Sequence, residues 1–198
     1  MTAVRVMYNY LDHRLKQAVL EIYRVFQEYR ALKFDELNAM SKVREMYDAL
    51  EKINRKAYRD IADHYYESEP HGDESLHDLW LEDVLATPSR VMKYSYNSEV
   101  VRKRDRLMEA LIATGGSVLE YDTAMRHWAQ MTGWFAVEVA DAALQQARLD
   151  DGVELVMWVS EHDNKVCGRC DKMDGNVYPA DFVPPKPHPN CRCYTVRV

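Results

Sequence analysis

The sequence predicts an α+β protein, a mostly helical body followed by a small zinc-type β-knuckle. Three observations carry this. Through most of the first 150 residues apolar side chains recur at three and four positions, the period of helices that bury one stripe. After Asp150-Asp151-Gly152 that period gives way to short alternating segments. All four cysteines then fall in the last stretch, as Cys167, Cys170, Cys191 and Cys193, with His188 just before the second pair. The boundary is set at the Asp-Asp-Gly turn, with residues 1–150 as the helical body and 151–198 as the knuckle.

Leu11, Leu15, Ala18, Ile22, Val25, Phe26 and Tyr29 lie on one stripe of a first helix. Met40, Val43, Tyr47, Leu50, Ala57 and Ile61 mark a second, antiparallel to the first and joined to it around Leu32–Leu37. Glu69-Pro70-His71-Gly72-Asp73 breaks the pattern. Ser75 is the expected cap of a short helix from Leu76 to Ala86, which stops before Thr87-Pro88 because a residue preceding proline disfavours α geometry. Between Ser89 and Asn97 the pattern is ambiguous, although Tyr94 and Tyr96 alternate as in extended chain. From Glu99 the helical period returns in Val100, Met108, Leu111 and Ile112, flanked by Arg102, Lys103, Arg104 and Arg106.

Gly115-Gly116 supplies the left-handed conformation that ends this helix. Ser117 and Glu120 form a capping box that opens the next. That last helix runs through Tyr121, Met125, Trp128, Phe135, Val139 and Leu144 to Arg148, and Gly133 is where a bend is expected. Strands are expected at Leu155–Val159, Asn176–Tyr178 and Cys191–Val198.

At 198 residues the chain suffices for one sizeable domain, or one with an appendage. Hydrophobic residues make up 47% and charged residues 29%, the balance of an ordinary soluble globular protein. No stretch is apolar enough to span a membrane, and Met1 to Tyr10 does not read as a secretory leader. An intracellular setting is expected. A net charge of −6 argues against a surface dedicated to nucleic acid. The basic run Arg102-Lys103-Arg104 with Arg106 is interleaved with Glu99, Asp105 and Glu109, so it reads as a solvated helix face laced with ion pairs. Thirteen tyrosines against four phenylalanines suit partly wet protein–protein contacts.

Thiolates and an imidazole clustered in this way are the donor set of a structural zinc site, which binds four ligands tetrahedrally. Five candidates compete for four places: Cys167, Cys170, His188, Cys191 and Cys193. The four sulfurs are preferred, with His188 either replacing one or donating a ring N–H from behind them. On a strand, Cys191 and Cys193 would point to one face. Disulfides are an open alternative, since four cysteines allow three pairings. A redox CxxC is a third, though the βαβ unit that accompanies it is not visible. Residues 153–198 hold too little apolar mass to offset their own chain entropy. A bound metal would add on the order of 10 kcal/mol of apparent folding free energy.

The same segment carries a resemblance. Trp158-Val159-Ser160-Glu161-His162-Asp163-Asn164-Lys165-Val166-Cys167-Gly168-Arg169-Cys170, then Asp174-Gly175, Pro184-Pro185 and His188-Pro189-Asn190-Cys191-Arg192-Cys193, resembles the C-terminal signature of the phage Mu F-like minor head proteins. The motif-bound match covers residues 155–198; the helical region upstream is similar only in general character. The resemblance implies a non-enzymatic virion component, present in few copies at or near the portal vertex of a tailed phage. It implies action in head assembly, DNA packaging or DNA delivery. Expected partners are the portal protein, the capsid interior and packaged DNA, without a small-molecule substrate. The expected location is the phage head, after assembly in the host cytoplasm. Some relatives carry a further toxin or transferase domain; none is expected after Val198. The place of Asp163 in the pattern implies that it accepts backbone N–H bonds in the turn before Cys167.

Catalytic signatures fail one after another. There is no glycine-rich phosphate loop, no HExxH and no GxSxG. His162 and Asp163 beside Cys167 could suggest a catalytic set, but a metal-held thiolate is no free nucleophile. His13, His64, His71, His77 and His127 stand singly and read as surface or packing residues. The runner-up to the head protein is a free zinc-knuckle adaptor for nucleic acid or protein; a thiol oxidoreductase comes third.

Overall fold

Helix-forming stripes and short strands assemble in the order α1 (Ala3–Arg30), α2 (Glu36–Glu67), α3 (Trp80–Ala86), α4 (Tyr96–Thr114), α5 (Val118–Asp150), β1 (Leu155–Val159), α6 (Gly168–Met173), β2 (Val177–Pro179) and β3 (Tyr194–Arg197). The protein is thus α+β. This computed structural model describes residues 3–72, 75–160, 166–188, 191 and 193–198, with side chains from Tyr10 onward. No helix among the described residues is long and apolar enough to cross a membrane.

The first two helices lie antiparallel, as their stripes require. Arg14 Nε donates to Asp60 Oδ2 over 2.8 Å, and Tyr10 stacks on His64 at 3.6 Å. Ala18, Ile22 and Phe26 turn into a core shared with Val43, Tyr47, Leu50 and Ile61. Asp35 caps α2 by accepting from the Leu37 amide. α2 and α5 run side by side in the same direction, with Tyr47 edge-on to Trp128 and Tyr66 O–H donating to Asp150 over 2.7 Å. Between them sits a buried polar network. Asn54 Nδ2 donates to Tyr96 Oη, Thr132 Oγ1 to Asn54 Oδ1 and Tyr58 O–H to the Thr132 carbonyl, each over 3.1 Å. Such groups are stable inside a core only when bonded, and here each has a partner.

Several expectations need correction. α3 starts at Trp80, not Leu76, and Ser75 does not cap it; Leu76 and Trp80 both turn into the core, which leaves the intervening chain as turn. Tyr96 opens α4 instead of lying in extended chain, because Ser95 caps the helix by accepting from Ser98 N over 3.2 Å. Its ring is fully buried, edge-on to Tyr58 and Phe135. Met40 and Ile112, assigned to stripes, are exposed, while Leu107 is buried. Gly115 ends α4 with φ of +63°. At Gly116, φ is +85° and a Cβ would meet the Phe34 side chain at 2.3 Å, so glycine alone lets this turn close on the α1–α2 connection. Only half of the capping box forms: Ser117 Oγ accepts from Leu119 N, but the Ser117 amide donates to Thr114 Oγ1 and not to Glu120.

Glu99 is not on a solvated face. It is 2% exposed, and its carboxylate takes Arg102 Nη2 at 2.7 Å and Lys103 Nζ at 3.7 Å. The arginines around it are the solvated part.

The three strands form one antiparallel sheet in the order β2-β1-β3. β1 occupies its expected range; β2 starts one residue late, and β3 is confined to 194–197. Val156 and Trp158 are buried on the side facing the helices. Two polar corners hold this unit on the body. At one, the Glu69 carboxylate accepts from Arg148 Nη2 over 2.6 Å and Arg197 Nε over 3.0 Å, and Arg148 Nη2 reaches the Thr195 carbonyl at 2.8 Å. Arg197 also donates to Asp151 and to the Pro70 carbonyl. At the other, Lys186 Nζ meets Asp141 Oδ1 at 2.9 Å, Arg90 donates to the Val183 carbonyl and Gln145 to that of Ala180. A cavity of about 390 Å³ lies between α5, the inner side of the sheet and the proline-bearing loop.

Candidate metal centre

Cys167 is the residue before α6, in extended conformation (φ −81°, ψ 153°), and its Sγ accepts from the Cys170 amide over 3.4 Å. The CxxC therefore works as a helix N-cap, a short helix the cysteine spacing alone does not announce. Capping turns Cys167 and Cys170 inward on the same side, their sulfurs 3.4 Å apart. From the far end of the proline loop comes Cys191, whose Sγ lies 3.4 Å from that of Cys170. Cys193 Sγ lies 3.7 Å from Ser160 Oγ. Cys191 and Cys193 precede β3 and do not share a strand face as expected; both are nevertheless buried.

Among the described residues, two overlapping groups of donors could hold a metal ion. Cys167, Cys170 and His188 form one, and Cys170, Cys191 and Cys193 the other, the ligand atoms of each within 4.8 Å of one another. Cys170 belongs to both. All five sequence-derived candidates are thereby brought to one place. The four cysteines are free thiols, so no disulfide pairing is formed. Their 3.4 Å separations are far beyond the roughly 2.05 Å of a disulfide. They approach the roughly 3.8 Å expected for thiolates about 2.3 Å from one tetrahedral ion. The donor set, soft sulfur with one imidazole, fits a thiophilic cation.

Burial and hydrogen bonding divide the thiols. The backbone N–H of Cys170 is the main influence holding the Cys167 thiol down at about 7. Burial pushes Cys170 well up, and burial likewise raises Cys191. A cation would offset the cost of placing thiolates there.

The supporting frame includes two residues the sequence did not single out for a role. Ser160 is buried, its hydroxyl donating to the Cys170 carbonyl over 2.8 Å, and its amide donating to Asp174 Oδ1 over 2.7 Å. Gly175 N donates to the Trp158 carbonyl. The signature's Ser160, two residues after Trp158, and its Asp174-Gly175 are thus one latch that holds α6 against β1. Trp158 packs on Cys170, Cys191 and Cys193. His162 and Asp163 lie outside the described residues, as do Pro189, Asn190 and Arg192 of the signature. Among the single histidines, His64 stacks on Tyr10 and His71 lies over Tyr66, both packing contacts.

No curated protein and no solved structure matches this chain. A family model does: residues 103–196 match the one described as phage Mu protein F like protein. The match reaches back from the cysteine centre through α5 into α4, well beyond the 155–198 stretch that carries the motif. Residues 103–196 of this chain are therefore similar to the phage Mu protein F-like domain.

Proposed function

We propose that the chain is a non-enzymatic minor head protein of a tailed phage, acting at or near the portal in head assembly, DNA packaging or DNA delivery. The observation that carries this reading is the family match over residues 103–196. In this reading residues 1–150 are a helical body and 151–198 a metal-stapled module. The module holds one structural zinc through four of Cys167, Cys170, His188, Cys191 and Cys193. The three buried sulfurs of Cys170, Cys191 and Cys193 support such a staple, because a sheet of three short strands needs more than apolar burial to hold its shape. Zinc supplies a redox-inert tetrahedral cross-link there. Its partners are the portal protein and the capsid interior, with packaged DNA nearby, and it resides in the virion after assembly in the host cytoplasm.

Co-expression with the portal protein encoded nearest this gene, followed by size-exclusion chromatography with mass detection, tests the role. Co-elution at fixed stoichiometry is the expected result. Elution of the folded chain alone would overturn the portal role and favour a free adaptor. Elemental analysis of the same fractions tests the staple, with about one zinc per chain expected.

A further inference from the structure

The cavity between the helices and the sheet, about 390 Å³, has the size of a pocket for a small organic molecule. Trp80 of α3, Phe135 and Val139 of α5, Val156 of β1 and Pro184 of the proline-bearing loop give it apolar walls. The rings of Trp80 and Phe135 are buried. Glu138 lines the same space from α5, about one turn beyond Phe135.

The charged side chains around this cavity are not equally provided for. Arg148 is held by Glu69 at 2.6 Å, and Lys186 by Asp141 at 2.8 Å. Asp83 and Arg90 are exposed to solvent, and Arg90 donates to the Val183 carbonyl. Glu138 is half-buried, and its hydrogen bond comes from a neutral group, the Ser89 hydroxyl at 3.0 Å. Among the described residues no cation pairs with it. Burial pushes its carboxyl above the ordinary carboxylate value, and the fields of Lys186 and Arg90 leave that rise in place. A carboxylate withdrawn from water without a positive partner is costly, and an entering cation would remove that cost.

The walls decide which cation. A hard metal ion takes about six oxygens or more, which one carboxylate and one hydroxyl do not supply. An anion would meet Glu138 with like charge, and a neutral molecule would leave the carboxylate uncompensated. An ammonium group on an apolar body satisfies both parts: its N–H groups donate to the carboxylate, and its body lies against the rings.

We propose that this cavity binds a small organic cation, an amine with an apolar body, through the Glu138 carboxylate and the Trp80 and Phe135 rings. Isothermal titration calorimetry of the full chain tests it with phenethylamine, 2-phenylethanol and phenylacetate, which share a ring and differ in charge. Phenethylamine is expected to saturate and to bind about tenfold or more tightly than the other two. Glu138→Gln keeps an acceptor for Ser89 and should lower phenethylamine affinity about tenfold, to the level of 2-phenylethanol. Glu109→Gln, at an exposed position on α4, should leave it unchanged. No saturable binding of phenethylamine, equal binding of the three compounds, or undiminished affinity in Glu138→Gln overturns the proposal.

Discussion

Arg148 Nη2 lies 2.6 Å from Glu69 Oε1, so the last turn of α5 is tied to the segment that follows α2. Glu69 also takes Arg197 from β3, which makes one carboxylate the joint between the helices and the sheet. The Arg148 side chain is 6% exposed, so its buried guanidinium is compensated by that carboxylate. Glu69→Gln should cost about 3 kcal/mol, because it leaves a buried guanidinium uncompensated. For a chain of this size that lowers Tm by roughly 10 °C. Thermal unfolding followed by circular dichroism checks it, and an unchanged Tm would show that the corner carries no stability.

Cys170 belongs to both donor groups. Cys170→Ser should therefore abolish metal retention, whereas Cys167→Ser, at the partly exposed edge, should weaken it while melting the module ahead of the helices. Helical signal at 222 nm should survive in both. Unchanged thermal stability and thiol accessibility in Cys167→Ser would sink the staple.

In metal-free protein Cys167 should react before Cys170 and Cys191. Cys167 sits at about 7, below the ordinary thiol value of 9.0, so its thiolate forms first as pH rises. Burial raises Cys170 and Cys191, which delays theirs. Iodoacetamide labelling with peptide mapping should give a Cys167 profile with a midpoint near 7. The sign for stability follows: a depressed acid favours the folded state above its ordinary value, and that contribution fades as pH falls through 7. Equal labelling of Cys167, Cys170 and Cys191 at neutral pH would contradict the division.

Gly116→Ala combines a positive φ with a Cβ set against Phe34. A loss of about 2 kcal/mol or more is expected. The same change at Gly115, where nothing lies within 4 Å of the added Cβ, should cost only the conformational part. Chemical denaturation of the pair separates the two effects; equal losses would remove the packing component.

The long helices were legible because a stripe repeated over many turns outweighs local noise, and β1 because alternation resumes directly after a turn. The cysteine centre was legible as a set of five residues, since spacing reports proximity. What spacing did not report was conformation. Capping by Cys167 makes α6 out of the CxxC, and the pull of Cys191 and Cys193 toward Cys170 shortens β3. Glu99 read as a surface charge because a run of basic residues conceals which neighbour points inward. The Glu69 joint links residues 79 and 128 positions apart, which no local pattern encodes.

The network of Asn54, Tyr58, Tyr96 and Thr132 has a mechanical consequence. Sliding α2 past α5 by one turn, about 5.4 Å, would strand all of these polar groups in an apolar core at once. The pair behaves as a single strut, with no low-energy alternative setting. A load applied along this helix pair would therefore be passed on undiminished. The give would come where polar corners, not a shared apolar core, join the sheet to the helices.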